Sequence, residues 1–300
     1  MVQELQIGGT RRIWLCADDY GISPGVNRAI RELIVMRRIN ATSVMMAGPA
    51  IDRDEIDALK AAVQNNPACA VGLHATMTAP FQPLTMHFRP TDGSAFLPLA
   101  TMLRASILRQ LDRDMMRTEF EAQFTAFKTA FGEAPAYADG HQHVQVFPQI
   151  RDAFLDAVKQ SAPGAWVRQC GSPRPFVQNL TNPKAALLDV LSGGLRRAAR
   201  RAGVTFNPAF AGAYDFSGMP DFGDLMGGFL NGLPDGGLIM CHPGFVDQTL
   251  RDLDPLTDQR EREYDYLASD AFPRLLAAKQ TVLIDNSVDL SHRVHGIAQI

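Results

Sequence analysis

The feature that most restricts this chain is a series of eight short, apolar, largely β-branched segments, at residues 13–17, 41–46, 68–73, 136–139, 165–168, 203–206, 238–241 and 281–284. Each is short enough to be a strand buried on both faces, and most of the intervening stretches are long enough for a helical crossover. Parallel strands need such crossovers, because a tight hairpin can join only antiparallel ones. The rhythm predicts an α/β protein and favours a β/α barrel. Strand order is not encoded in it, so an open doubly wound sheet is the alternative.

The helical stretches fit that rhythm. Ser23 followed by Pro24 marks a helix start, with Val26, Ile30 and Leu33 or Ile34 as its buried stripe. Phe120, Phe124, Phe127 and Phe131 recur at helical offsets, so they share one face, and packing against a sheet accounts for the whole spacing. Further helices are expected at 150–159, 184–202, 259–269 and 271–279, with Gly193-Gly194 breaking the second of these and Pro273 in the opening turn of the last. Two stretches, 75–101 and 207–231, exceed ordinary connections, and loops of that kind cover sites or form interfaces. No linker, repeat or low-complexity tail interrupts the chain, which reads as one domain over 1–300.

Composition removes several function classes. Hydrophobic residues make up 46% of the chain without a membrane-length apolar run, which predicts a globular protein with no membrane span. Lys+Arg 29 against Asp+Glu 32 gives a net charge of -3, so no nucleic-acid partner is expected. Cys16, Cys69, Cys170 and Cys241 are singletons in apolar surroundings, reading as reduced thiols, and the first residues lack the apolar core of an export signal. A cytoplasmic location follows as the expectation.

Reactive residue types collect where the strands end. In Cys16-Ala17-Asp18-Asp19-Tyr20-Gly21 an apolar strand runs into two adjacent carboxylates. One reading is a turn in which an Asp caps the next helix. The other is chemical: adjacent side chains diverge at a strand exit, so one can hold a cation while its neighbour reaches the cation's water. Gly72-Leu73-His74 sets an imidazole just past another strand, where a histidine alone is more often structural or substrate-facing than a ligand. In Asp139-Gly140-His141-Gln142-His143, a period of two puts Asp139, His141 and His143 on one side if the strand persists, a local set suited to a divalent metal. Met240-Cys241-His242-Pro243-Gly244 ends a fourth strand, where His242 can donate a proton to a leaving group, while Cys241 points away from it and a Cys–His nucleophile is disfavoured. The chain has no His-Glu-x-x-His helix, no paired cysteines of the nucleobase deaminases, no Gly-x-Ser-x-Gly elbow and no Gly-rich phosphate loop.

Taken in order, the four segments resemble the YdjC or ChbG/HpnK family of carbohydrate deacetylases. The resemblance rests on Ala17-Asp18-Asp19-Tyr20-Gly21-Ile22-Ser23, on Gly72-Leu73-His74, on the run from Asp139 to Pro148, and on Cys241-His242-Pro243-Gly244-Phe245, and it covers roughly the whole chain. It implies a deformed, TIM-like β/α barrel that removes the acetyl group from an N-acetylated amino sugar or oligosaccharide. It also implies one divalent metal held by Asp19, His74 and His141, with Asp18 as the neighbouring base. His143 would then contact substrate or support a ligand, Asp139 would orient the cluster, and a homodimer is expected. Gln145 departs from the histidine common at that place in the family, a difference that bears on sugar preference.

The residues themselves extend this picture. Zinc suits the imidazoles, and magnesium is equally admitted by the ligand types. His242 would protonate the departing amine. Asn207, Phe210, Tyr214, Phe216 and Phe222 could form a carbohydrate wall, although core packing or a dimer contact explains the aromatics equally well. Arg168 would approach the rim from another strand end, with a surface salt bridge as its plainer role. His87 is expected in the covering loop, and His292 and His295 in a solvated tail. The competing function is a non-catalytic sugar-binding or regulatory protein on the same fold.

Overall fold

The computed structural model describes residues 9–173, 183–214 and 220–285. Phe216, His292 and His295 lie outside them. The chain alternates β1 (Arg11–Tyr20), α1 (Pro24–Val35), β2 (Ala41–Val44), α2 (Arg53–Asn65) and β3 (Ala70–Ala75). A long connection follows, carrying the hairpin β4 (Thr91–Asp92) and β5 (Ala95–Phe96), then α3 (Leu99–Ile107) and α4 (Arg113–Phe131). Next come β6 (Tyr137–Gly140), a tight helical turn (His141–Val146), α5 (Ile150–Ser161), β7 (Trp166–Val167), α6 (Pro183–Ala202) and β8 (Phe210–Ala211). The final part holds α7 (Phe222–Leu230), β9 (Leu238–Cys241), α8 (Gln248–Leu253), α9 (Asp258–Ala268), α10 (Ala271–Ala278) and β10 (Thr281–Leu283).

Seven strands pair in the order β7-β6-β3-β2-β1-β9-β8, every pairing parallel, and β10 adds beside the start of β1. The two ends of that order meet. Val167 bridges Phe206, its N–H donating to the Thr205 carbonyl at 2.9 Å, and Phe210 N–H donates to the Gly171 carbonyl at 3.0 Å. The seam holds through so few bonds because β7 and β8 are two residues each, so the result is a deformed barrel. β1 is its axis of assembly: every residue from Ile13 to Tyr20 is buried, as a strand covered on both faces requires. Asn40 ties its start to β10, accepting from Leu15 N–H at 2.7 Å and donating to the Ile13 and Ile284 carbonyls.

The helices follow their local signals. Ser23 accepts from Val26 N–H at 3.2 Å and Pro24 occupies the first turn of α1, whose Val26, Ile30, Leu33 and Ile34 are buried. Phe120, Phe124 and Phe127 form the buried stripe of α4. Beside that stripe α4 also buries Glu119 and Gln123. These clamp the long connection: Glu119 accepts from Leu84 and Thr85, and Gln123 bonds both backbone groups of Thr76.

Two expectations are corrected. Residues 203–206 do not form a strand, because α6 ends at Ala202 and Gly203 turns the chain at φ +70; the strand there is β8, a few residues later. Gly193-Gly194 does not break α6. Gly194 is small because the Arg151 guanidinium of α5 passes through the space its Cβ would need. Among the described residues no helix is long and apolar enough to cross a membrane.

Candidate active site

The C-terminal ends of β1, β3, β6, β7 and β9 converge on one polar centre, and the irregular end of β1 organises it. The register between β1 and β2 shifts between Ala17 and Tyr20, Asp19 takes φ 69, and Gly21 takes φ 105, where a side chain would strain the backbone and a Cβ would meet the Met45 carbonyl at 2.9 Å. This kink splays the two adjacent carboxylates in different directions.

Asp19 Oδ1 is the meeting point of two imidazoles, with His141 Nδ1 at 2.9 Å and His74 Nε2 at 3.2 Å. Asp139 fixes His74 from behind, accepting from Nδ1 at 2.6 Å, so that Nε2 faces Asp19. A carboxylate behind a histidine in this way sets ring orientation and raises the basicity of the other nitrogen. Burial works against a charged His74, but Asp139 and Asp18 outweigh it and hold its pKa up at about 10. Asp19 shows the complementary balance: burial opposes ionisation, yet Arg260 and His141 hold it well below the usual carboxylate range. Phe81, from the long connection, packs edge-on against the His141 ring.

Asp18 turns the other way, into the barrel. Both its oxygens take Arg168 at 2.5 Å, the two-pronged fit of guanidinium to carboxylate, and Arg168 Nη2 also lies 2.5 Å from Asp139 Oδ2. Burial raises the Asp18 pKa, but Arg168 first and then His74 and His242 reverse this and keep it ionised. Cys16, Asp18 and Asp139 are also close enough for a second metal group, but the Arg168 guanidinium occupies their midst, 2.9 Å from Cys16 Sγ. Among the described residues, only the set of Asp19, His74 and His141, one carboxylate and two imidazoles all buried with nitrogens and oxygen converging, fits a divalent cation.

Several sequence-level assignments move. β6 ends at Gly140, and Gln142 and His143 adopt φ 54 and φ 59 in a tight turn, so Asp139, His141 and His143 do not continue a period-two face. His143 stands apart from the Asp19 cluster, half-buried, edge-on to Phe210 and 3.6 Å from Cys170 Sγ through Nδ1. Burial and the charge of Arg168 push its pKa down to about 3. Arg168 is not at the surface but wholly buried, because two carboxylates compensate its charge. Asn207 is a turn brace: its carboxamide accepts from Gln169 N–H and commits both amide hydrogens to the Gln169 and Ala209 carbonyls, leaving no donor to offer a sugar. Phe210 and Phe222 are buried, so neither presents a ring face; Tyr214 alone of the described aromatic candidates is half-buried. Gln145 lies under the site, donating to the Arg168 carbonyl at 3.3 Å and to Cys170 Sγ at 3.4 Å.

His242 follows β9 with its imidazole half-buried, and burial lowers its pKa. Cys241 turns to β1 and donates to the Cys16 carbonyl, away from His242. Two further charged residues come from α9. Arg260 Nη2 donates to Asp19 Oδ2 at 2.6 Å and to Asp254 Oδ2 at 2.7 Å. Glu263, one turn on, accepts His242 N–H at 2.5 Å and the Tyr214 hydroxyl at 2.6 Å. Both fall in the helix expected at 259–269 but in none of the four strand-end segments; the available signal was three-residue spacing on a helix with little apolar character.

A parallel barrel carrying a carboxylate–imidazole centre on its C-terminal rim is the arrangement of a barrel enzyme, since that rim is where such folds place chemistry. The chain belongs to the YdjC-like protein family, whose model matches residues 12–278. It is 29% identical over 238 residues to a chitooligosaccharide deacetylase of Yersinia pestis bv. Antiqua (strain Angola), covering 78% of this chain and 82% of the relative. The same identity and coverage hold for a chitooligosaccharide deacetylase of Yersinia pseudotuberculosis serotype O:1b (strain IP 31758). Among solved structures, the "putative cellobiose-phosphate cleavage protein" of Enterococcus faecalis V583 superposes with a TM-score of 0.71 at 16% identity, over 92% of this chain and 98% of that one. That likeness establishes the shared fold.

Proposed function

We propose that this protein is a metal-dependent carbohydrate N-deacetylase, hydrolysing the acetamide of an N-acetylated amino sugar or oligosaccharide to acetate and a primary amine. The observation that carries the reading is the convergence of His74 Nε2 and His141 Nδ1 on Asp19 Oδ1, beside the separately held carboxylate of Asp18. The names of the Yersinia relatives support the substrate class.

Asp19, His74 and His141 would hold the cation, with Asp139 keeping the His74 ring turned toward it. A divalent cation there supplies Lewis-acid polarisation of an acyl carbonyl and lowers the pKa of water. Asp18 acts as the proton acceptor: Arg168 keeps it ionised through the neutral range and fixes its direction, at the cost of weaker basicity. His242 passes a proton to the leaving nitrogen. Burial lowers the pKa of its imidazole, so the proton it delivers is the one Asp18 has accepted from water, relayed to His242 within the cycle, and none is consumed overall. His143 and Tyr214, both half-buried, are the described candidates for substrate contact. A homodimer and a cytoplasmic location complete the reading.

The test is to quantify acetate and free amine from a panel of free N-acetylated chitooligosaccharides and lipid-linked N-acetyl sugars, using protein loaded with zinc or magnesium. Acetate with a stoichiometric amine is the expected result. Substrate binding without acetate from any folded, metal-loaded sample would overturn the catalytic reading and leave a sugar-binding protein.

A further inference from the structure

Asp19 offers its two oxygens to different partners. Oδ1 faces His141 and His74, whereas Oδ2 is 2.6 Å from Arg260 Nη2, and that same nitrogen is 2.7 Å from Asp254 Oδ2. Arg260 is fully buried, and its Nε donates to the Leu256 carbonyl at 3.0 Å, so its guanidinium has a fixed place. Asp254 is anchored in turn, its Oδ1 accepting from Leu256 N–H at 2.8 Å. The strand end bearing His242 leans on the same residue: Gly244 N–H donates to the Arg260 carbonyl, and the Arg260 stem passes 3.4 Å from where a Gly244 Cβ would be.

Resting on the metal reading above, we propose that Arg260, balanced by Asp254, is a positioning residue that makes Asp19 a one-oxygen ligand. A carboxylate free to turn can chelate a divalent cation through both oxygens, which favours higher coordination numbers. Here a fixed positive charge already occupies the side of Oδ2, so a dication drawn to that oxygen meets repulsion, and Oδ1 is left to join the two imidazoles. Asp254 makes this arrangement tolerable. It returns the negative charge that Arg260 withdraws from the centre, so the Asp19–Arg260–Asp254 chain carries the net charge of one carboxylate. The arrangement sets a low coordination number and leaves positions open for substrate.

The test uses the full chain as a double variant, Arg260→Gln with Asp254→Asn. This removes one positive and one negative charge together, so any change in metal binding reads orientation rather than net charge. The carboxamide that replaces the Asp254 carboxylate can still accept from Leu256 N–H, and circular dichroism reports whether the variant is folded. Zn²⁺ affinity is measured by competition with a chromogenic chelator, and the visible absorption of the Co²⁺-loaded protein reports coordination number. The expected result is a weaker, shifted cobalt spectrum as Asp19 gains its second oxygen, together with a Zn²⁺ affinity that departs from the wild type by about 10–100-fold. Arg260→Lys keeps the charge but loses the Nε–H that anchors the guanidinium to the Leu256 carbonyl, and is expected to fall between; it serves as the reading if the double variant does not fold. Wild-type affinity with an unchanged cobalt spectrum in the folded variants would overturn the proposal. Failure of the wild-type protein itself to bind Zn²⁺ or Co²⁺ would overturn the metal reading and this inference with it.

Discussion

Glu263 makes a quantitative prediction possible because its environment is one-sided. It has no accessible surface, and its only described hydrogen-bond partners are the His242 N–H and the Tyr214 hydroxyl. Burial raises its pKa from 4.5 to about 7 despite those two donors. A carboxyl whose folded pKa exceeds its unfolded value binds its proton more tightly when folded. Its contribution to stability is therefore complete below about pH 4.5 and is lost as pH rises to about 7. The interval between those values, at about 1.36 kcal/mol per pH unit, amounts to about 3 kcal/mol. For a chain of this size that is a shift of about 6 °C in melting temperature. Glu263→Gln removes the titration while leaving an oxygen for His242 N–H and an amide that the Tyr214 hydroxyl can turn to meet. Urea unfolding midpoints of both proteins, taken from about pH 4.5 to about pH 7.5, give the comparison. The variant should gain about 3 kcal/mol on the wild type across that range. Parallel stability curves would refute the reasoning, because a carboxyl that titrates equally in both states cannot discriminate the two proteins.

Other outcomes follow from the same centre. Arg168→Met leaves Asp18 and Asp139 buried without their shared cation and should cost about 3–5 kcal/mol, read as a lowered urea midpoint; adding Asp139→Asn should recover part of it. Asp19→Ala, His74→Ala and His141→Ala should each lose stoichiometric metal by elemental analysis, whereas His143→Ala should lose turnover with metal retained. Asp18→Asn should keep its metal while acetate release falls by about 100-fold or more. Gly72→Ala places a Cβ 2.5 Å from the Tyr137 ring, which is stacked on Trp166, and should lower the melting temperature through about 1–3 kcal/mol of overpacking.

What the sequence disclosed and what it withheld divide along the range of the interactions. Buried parallel strands announce themselves because each must be apolar on both faces, which is why β1, β2, β3, β6, β7, β9 and β10 all overlap the anticipated segments. β8 did not: the anticipated segment at 203–206 reaches the seam only through the bridge of Phe206 to Val167, and the two paired residues, Phe210 and Ala211, follow it. Asp18, Asp19, His74, His141 and His242 were legible for a local reason: a reactive side chain directly after an apolar strand lands on the barrel's rim. Their partners have no such address. Arg168 reads as an ordinary surface cation until the fold brings Asp18 from 150 positions away, and Arg260 reads as one of many charges on a polar helix until Asp19 arrives across 241. Nothing in a helix's own sequence distinguishes a charge that faces solvent from one that faces a buried carboxylate; only the crossing of α9 over the ends of β1 and β9 does. The support of the site is therefore non-local even though the site itself is local. This places the sharpest tests of the reading on Arg168, Arg260 and Glu263, residues whose only reason to be buried is the charge or hydrogen bond they complete.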